Sequence, residues 1–301
     1  MIAVVLATYN GEKYLAAQLN SIISQSVKPD CIYIYDDGSS DSTLNVIKKF
    51  VKESSIQIVL KQNSVNKGYT KNFLDALYEM NDDYIFLSDQ DDVWDENKIS
   101  EFLKCLDKQN QNIPCLVTSG YRICNQDLVE FKKKHISKLF ISSEINKKSF
   151  FKDCSYPGMT FCLNKALIKQ LKSQEDTYDN IFFHDFYISM TALKTGKLIR
   201  INKPLVLYRQ HQNNQLGAGG KGMSSIQHWS IVLENKRREV LSALEFFPHD
   251  RYLNAKMSFV NKRVNWFNDK KTFSILISFI KYIVFFNFKS FIADLYYSIK
   301  R

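Results

Sequence analysis

The chain has 301 residues, 45% of them hydrophobic and 24% charged, and a formal net charge of +10. This is ordinary globular composition, which excludes a chain too polar to bury a core and predicts one large domain, or one domain with a smaller appendage. The charge is concentrated. Residues 251–301 hold ten basic and two acidic side chains, a net +8, while the rest is nearly neutral. A basic tail of this kind seeks an anionic surface, either nucleic acid or lipid headgroups. The six cysteines show no C-x-x-C pair and read as buried free thiols in a reducing compartment. Met1-Ile2-Ala3-Val4 runs directly into an apolar segment with no basic stretch before it, so a cytosolic location is expected.

The first 120 residues alternate strand and helix signals. Residues 2–7 form a continuous apolar run, as in a strand buried on both faces. Leu15, Leu19, Ile22 and Ile23 then make a helical stripe. A strand at 31–35 follows, then a helix from about Ser42 and a strand at 56–60. A helix with Phe73, Leu74 and Leu77 leads to a strand at 84–88. A helix with Ile99, Phe102, Leu103 and Leu106 precedes a short strand at 115–118. The order βαβαβαβαβ predicts an α/β fold, a mostly parallel, doubly wound sheet with helices on both faces. Beyond residue 120 the pattern is less regular, with a strand-like run at 205–208. Four glycines between Gly217 and Gly222 suggest a mobile loop or boundary. The expected domains are 1–218 and a helical, basic appendage at 219–301.

Ligands of such sheets bind outside the carboxyl ends of the strands. Here those ends carry Thr8-Tyr9-Asn10, Asp36-Asp37-Gly38, Gln62-Asn63 and Asp89-Gln90-Asp91-Asp92. Three carboxylates within Asp89–Asp92 would repel one another and raise each other's pKa. Mg²⁺ or Mn²⁺ resolves that conflict, because hard divalent cations take carboxylate oxygens and bridge to phosphates. The alternative is a solvated acidic turn with Asp89 or Asp95 capping the next helix. In Asp36–Thr43, Gly38 permits a tight turn or close ligand approach, and one Asp can accept from a nucleobase or a ribose hydroxyl. Asp41 or Ser42 can equally serve as a helix N-cap there.

Ala7-Thr8-Tyr9-Asn10-Gly11-Glu12, the Asp36–Thr43 segment, Asn66-Lys67-Gly68 with Asn72, Asp89–Trp94 and His184-Asp185 occur in order. Together they resemble glycosyltransferase family 2, with its GT-A fold, over about residues 1–215. Asp89–Trp94 and Tyr208-Arg209-Gln210-His211 resemble the bacterial rhamnosyltransferase-like branch. The resemblance implies that Thr8, Tyr9, Asn10 and Glu12 line a base pocket, and that Asp37 and Asp36 contact base and ribose. It puts Asn66, Lys67, Gly68, Lys71 and Asn72 near ribose and diphosphate. Relatives often carry an Arg in that segment, and here Lys67 or Lys71 must serve. Asp89 and Asp91 form the implied D-x-D pair, with Asp91 and Asp92 as ligands for Mn²⁺ or Mg²⁺; His211 is a candidate third metal ligand or a diphosphate contact. Asp185 is the implied catalytic base of an inverting transfer. Its alternative role is an acidic first-turn residue of a helix. His211 has a structural alternative, and Tyr156-Pro157-Gly158-Met159-Thr160 either lies beside the transferred sugar or is an ordinary turn.

Residues 270–301 hold a largely apolar stretch, with Ser274, Ser278 and Lys281 on another face, and Lys281 and Lys289 interrupt it. That is shorter than the roughly 20 residues a spanning helix needs. An amphipathic segment at a membrane surface is expected, with packing on the main domain or a homodimer as alternatives. The expected partners are a dTDP- or UDP-linked sugar, a polyprenyl-diphosphate-linked saccharide acceptor and an anionic membrane surface, placing the chain at the inner face of a bacterial membrane. A processive synthase would add Q-x-x-R-W and spanning helices, and neither is seen. A nucleic-acid binder would interleave its basic residues with stacking aromatics along a groove, and this pattern does not. A non-catalytic relative should have lost carboxylates, yet Asp37, Asp89, Asp91 and Asp185 are all present.

Overall fold

The computed structural model describes residues 1–131, 142–153, 156–174, 183–211 and 225–268, with Ile275, Lys281, Phe285, Phe286, Ile292, Asp294 and Tyr296 beyond them. In chain order, β1 (Ile2–Thr8), α1 (Leu15–Ile23), β2 (Cys31–Asp36), α2 (Thr43–Glu53), β3 (Gln57–Gln62), α3 (Tyr69–Glu79) and β4 (Tyr84–Asp89) follow the expected alternation. Then come β5 (Val93–Trp94), α4 (Lys98–Leu106), β6 (Cys115–Cys124), β7 (Ser142–Glu144) and α5 (Lys147–Asp153). A single 3-10 turn at Gly158–Thr160 leads to β8 (Phe161–Asn164), α6 (Lys165–Lys172), α7 (His184–Thr195) and β9 (Lys197–Arg209). Two long helices, α8 (Ser225–Phe246) and α9 (Arg251–Asn268), complete the described elements.

The described strands form one nine-stranded sheet in the order β3-β2-β1-β4-β8-β6-β9-β5, with β7 on β9. The pairs β1–β2, β2–β3, β1–β4 and β6–β9 are parallel. The strand β8 is antiparallel to both β4 and β6. So β1 to β4, β6 and β9 run the same way, and β8 is inserted between two halves of the parallel set. The expected strand at 115–118 is longer, and β8 stands between it and β4. Its second half continues past a register shift at Ser119–Tyr121, where Gly120 lets Lys203 approach: a Cβ there would lie 3.2 Å from the Lys203 carbonyl oxygen. The run at 205–208 is the end of the thirteen-residue β9.

Period-two alternation decides which side chain goes to which face of the sheet. Val4 and Leu6 join Leu15, Leu19, Ile22, Ile47, Ile99 and Phe102 in one core, which places α1, α2 and α4 on that face. Ala3 and Val5 are equally buried but outside that cluster, and α3 packs on β1 with α6 and α7 beside it. Each fully buried Leu of this kind contributes about 1.5–3 kcal/mol. The cysteines among the described residues, Cys31, Cys105, Cys115, Cys124 and Cys162, are buried and free, and burial raises the pKa of each thiol.

The chain divides into two compact units, Met1–Ile145 with Tyr156–His211, and Asn146–Ser155 with Gln212–Arg301. The boundary expected at 218/219 and the glycine-rich stretch 217–222 lie outside the described residues. In the second unit, Val240, Phe259, Val260, Ile275 and Phe286 form a core. Two of the ten basic residues expected at an anionic surface are inside this unit. Lys256 is buried, donates to the Phe151 carbonyl and lies 4.6 Å from the Phe286 ring centroid. Arg263 is buried in a two-point bridge to buried Asp294, at 2.7 and 3.1 Å. Because Asp294 is buried with Arg263, these burials remove only one net positive charge from the surface. Lys281, Ile292 and Tyr296 are exposed. Most of the segment 270–301 lies outside the described residues. No helix among the described residues is long and apolar enough to cross a membrane.

Candidate active site

The candidate site is built where β1, β2 and β4 end together. Register pairs Thr8 with Asp36 and Ala7 with Asp89, so three polar loops leave the sheet side by side. Asp37 organises the next loop as well. Its Oδ1 accepts from Asn63 Nδ2 (2.8 Å) and the Lys67 N–H (2.9 Å), and its Oδ2 accepts from the Gly68 N–H (2.8 Å). Gly38 and Gly68 have φ of 81° and 83°, a region that only glycine enters at little cost. Asn10 also has positive φ (49°), tolerated because its Oδ1 accepts from the Ser40 N–H at 2.9 Å.

Several expected contacts turn inward. Asp36 is fully buried and accepts from Thr8 Oγ1 (2.9 Å), the Ser39 N–H (2.9 Å) and Ser39 Oγ. Buried Asn72 accepts from Asn63 Nδ2 (3.0 Å) and donates to the Tyr35 carbonyl (2.9 Å). Thr8, Asp36 and Asn72, like the equally buried Asp37, brace the loops from behind in this structure. Tyr9 is 40% exposed, and Asn10, Glu12, Asn66 and Lys67 are exposed too. Glu12 Oε2 accepts from the Ser42 N–H at 2.8 Å. Lys67 Nζ pairs with Asp75 at 2.8 Å, and Lys71 lies half-buried in the first turn of α3.

The acidic loop splits in the same way. Asp91 Oδ2 lies 2.8 Å from His211 Nε2, although 120 residues separate them. Asp92 does not join this pair: it is fully buried, and its Oδ1 accepts from the Arg209 N–H at 3.2 Å. The expected trio of Asp91, Asp92 and His211 is thus reduced to two. Among the described residues no group of three His, Cys, Asp or Glu is spaced to hold a metal ion. The pair remains a sound donor set, because a hard divalent cation is commonly held by one or two protein ligands with substrate phosphates and water completing its shell. Burial, with Asp91 and Asp185 nearby, pushes Asp89 up to about 7. Burial, with Asp91 and Asp89 nearby, raises Asp92 well above the usual carboxylate range. Like charges crowd this edge and disfavour one another's ionised form.

Asp185 stands in the first turn of α7, where its Oδ1 accepts from the Phe186 N–H at 2.7 Å. Its charge reaches Asp89, and burial, with Asp185 nearby, raises Tyr69 to about 12. The adjacent His184 is buried, stacked on Phe73 at 4.4 Å and edge-on to Tyr69. Burial holds it neutral, down to about 3. A Cβ at Gly158 would stand 2.5 Å from His184 Nε2, so the 158–160 turn closes directly over this ring.

Four contributors are absent from the sequence-based set. Buried Lys98 donates to the Met159 carbonyl (2.8 Å), lies 3.6 Å from the Trp94 ring centroid and is pushed by burial down to about 7. It shares a helical face with Phe102 and Cys105, so a lysine on an apolar stripe was its available signal. Arg209 donates through Nε to the Asp91 carbonyl (2.7 Å) and through Nη1 to the Gln126 carbonyl (2.7 Å). The Tyr14 ring lies 4.6 Å from the Arg209 guanidinium and 4.6 Å from the His211 ring. Gln90 bonds to Tyr9. No local signal marks Gln90 or Tyr14, since both depend on partners far along the chain.

Comparison with known proteins agrees with this architecture. Residues 3–172 match the family described as "Glycosyl transferase family 2". The chain is 31% identical over 265 residues to the dTDP-rhamnosyl transferase RfbG of Shigella flexneri, covering 84% of this chain and 88% of that protein. It is 21% identical to the UDP-Glc:alpha-D-GlcNAc-diphosphoundecaprenol beta-1,3-glucosyltransferase WfgD of Escherichia coli, covering 77% and 85%. Among solved structures, S. aureus TarS 1-349 in complex with UDP-GlcNAc superposes with a TM-score of 0.59 at 19% identity, over 80% of this chain and 66% of that one. The mannosyltransferase PcManGT from Pyrobaculum calidifontis, in complex with GDP-Man and Mn²⁺, gives 0.55 at 13% identity over 81% and 64%. With the GT-A fold in place and the family match covering more than half its length, this chain belongs to glycosyl transferase family 2 and is a glycosyltransferase.

Proposed function

We propose that this chain moves one sugar from a nucleoside diphosphate to a hydroxyl of a lipid-linked oligosaccharide, with inversion at the anomeric carbon, in bacterial surface polysaccharide synthesis. L-Rhamnose from dTDP-rhamnose is the favoured donor, because the 31% identical relative is named for that nucleotide sugar. A hexose from a UDP-sugar is the alternative, in keeping with the name of the E. coli relative. The observation that carries the reading is the crowding of Asp89, Asp91 and Asp185 at the carboxyl edge of the sheet, with Asp89 pushed up to about 7.

Tyr9, Asn10, Glu12 and Asp37 take the nucleoside. Asn66, Lys67, Gly68 and Lys71 lie at the start of α3, where the helix end and the lysines favour the diphosphate. Asp89 flanks the transferred sugar, and Asp91 with His211 would hold Mn²⁺ or Mg²⁺. When bound, the cation supplies positive charge against the departing diphosphate. Asp185 accepts the proton of the acceptor hydroxyl as that oxygen attacks the anomeric carbon and the glycosidic bond to phosphate breaks. Lys98 fixes the Met159 carbonyl, and with it the 158–160 turn that we place beside the sugar.

The lipid-linked acceptor goes with an appendage that meets anionic headgroups through exposed Lys281, Ile292 and Tyr296, at the cytoplasmic face. A homodimer through that segment is the alternative. Truncation before this segment is a poor test, since it removes Asp294 and strands buried Arg263. Lys281→Glu with Ile292→Asp should release the protein from anionic liposomes. Undiminished sedimentation with vesicles would end the membrane assignment.

The decisive measurement for the site is binding of dTDP-rhamnose, UDP-glucose, UDP-galactose and UDP-N-acetylglucosamine with and without Mn²⁺, using Asp91→Ala as control. Metal-dependent binding of one donor, lost in the variant, is expected. No binding of any of them with metal present would remove the nucleotide-sugar reading.

A further inference from the structure

Gln90 sits between the two carboxylates of the D-x-D pair, yet its side chain leaves the acidic loop. It reaches across to Tyr9, 81 residues earlier, and pairs with both backbone groups of that residue. The Gln90 Oε1 accepts from the Tyr9 N–H at 2.9 Å, and its Nε2 donates to the Tyr9 carbonyl at 3.0 Å. The amide thus stands in for one residue of a neighbouring strand, just past the point where β1 and β4 stop pairing. The neighbouring backbone is shaped to this contact. Gly11 leaves the room the amide occupies, since a Cβ there would fall 2.1 Å from Gln90 Oε1 and 2.6 Å from its Cδ.

The loop that Gln90 grips is bound firmly on its other side. The Asn10 N–H donates to Ser39 Oγ (2.9 Å), the Gly11 N–H to Thr43 Oγ1 (2.8 Å) and the Glu12 N–H to Asp41 Oδ2 (3.1 Å). The β1–α1 loop and the β2–α2 loop therefore behave as one layer. Among the side-chain contacts described for the acidic loop, the Gln90 amide is what ties it to that layer. An amide is suited to this task because it offers one donor and one acceptor in a plane, matching the carbonyl and N–H of a single residue.

We infer that Gln90 is a positioning residue that holds the base-side loop and the acidic loop in one register, so that nucleoside and diphosphate meet prearranged groups together. This rests on the nucleotide-sugar reading of the site. Without the tie, each loop would have to be ordered when ligand binds, and that ordering weakens affinity.

The test uses the full chain with Gln90→Leu, Gly11→Ala and the double variant. Gly11→Ala attacks the same contact from the opposite side, and the nearest atoms its Cβ would meet are those of the flexible Gln90 side chain, so the fold should tolerate it. Hydrogen exchange read without ligand should accelerate at residues 9–12 and 89–92 in both single variants, with thermal midpoints close to the parent. Binding of dTDP and UDP with Mn²⁺ should weaken by about tenfold in each single variant, the scale of two lost hydrogen bonds. The double variant should be no weaker than either single one. Donor KM should rise by more than kcat falls. Unchanged exchange in both loops would overturn the tie. Faster exchange with unchanged nucleotide affinity would overturn its role in binding. A parent protein that binds no nucleotide would sink the site reading itself, and the exchange data would separate that failure from the failure of the tie.

Discussion

Two clusters of buried charge show opposite designs. In the C-terminal unit, Arg263 and Asp294 are buried together in a two-point bridge, under the Phe286 ring at 4.2 Å from the guanidinium carbon. At the edge of β4, Asp89, Asp91 and Asp92 crowd one another, and the pKa values of Asp89 and Asp92 rise. The first arrangement satisfies its charges within the fold. The second leaves like charges uncompensated at the carboxyl edge of the sheet. A matched buried pair reports on the integrity of a fold, while an unmatched cluster of like charge reports on what the protein binds.

Breaking each cluster should therefore have a different signature. The largest effect falls on chemistry: Asp185→Asn should lower kcat by about 10²–10⁴-fold while leaving the thermal midpoint near the parent, the scale of a lost general base. Steady-state kinetics with a denaturation scan would check it, and a fall in stability matching the fall in rate would count against a catalytic role. Next comes Arg263→Met. Leaving Asp294 alone in the interior should cost about 3–5 kcal/mol, whereas Arg263→Met with Asp294→Leu should recover most of that loss. Urea titrations of both would settle the comparison. Equal losses in the single and double variants would mean that packing, not charge, holds this region.

His184 is the intermediate case, a buried polar ring with neither matched nor crowding charge on it. Neither ring nitrogen has a hydrogen-bond partner among the described residues. Its folded pKa, about 3, lies below the ordinary value near 6.5. Between those limits the unfolded chain binds a proton that the folded chain refuses. Stability should then fall as pH drops from 6.5 toward 3, by at most about 1.4 kcal/mol per pH unit. His184→Leu should flatten that limb. The smallest effect is expected of Asp89→Asn in metal-free protein. The parent's Asp89 pKa is raised toward 7, so its stabilising contribution is complete below the unfolded value near 3.8 and is lost as pH rises through 7. The variant should be more stable above pH 7 by on the order of 1 kcal/mol, with the gain disappearing in acid. A loss at high pH would show that the carboxylate is already compensated within the fold.

The alternation of strands and helices was legible because the apolar runs of β1, β2 and β4 and the stripes of α1, α3 and α4 are local signals with periods of 2 and 3.6. The site was legible as a set of loops for a related reason. Strand ends in such a sheet share one edge, and polar residues collected there are out of place for a core. Less legible was the C-terminal unit. Lys256 and Arg263 look like surface charge in a basic helix, and only their burial against Phe286, with Asp294 for the arginine, shows otherwise.

By itself the sequence determined that Asp36-Asp37 and Asp89–Asp92 would stand at the mouth of an α/β sheet, because register and polarity are written residue by residue. Only the tertiary structure decided which of them turn inward. Neighbours along an extended chain point to opposite sides, and packing against distant segments selects the side. Asp36 went inward to Thr8 and Ser39, and Asp92 to the backbone of Arg209. Asp91 met His211 across 120 residues, and Gln90 met Tyr9 across 81. Such choices belong to no single stretch of chain, since a side chain's partner exists only once the sheet has brought the loops together.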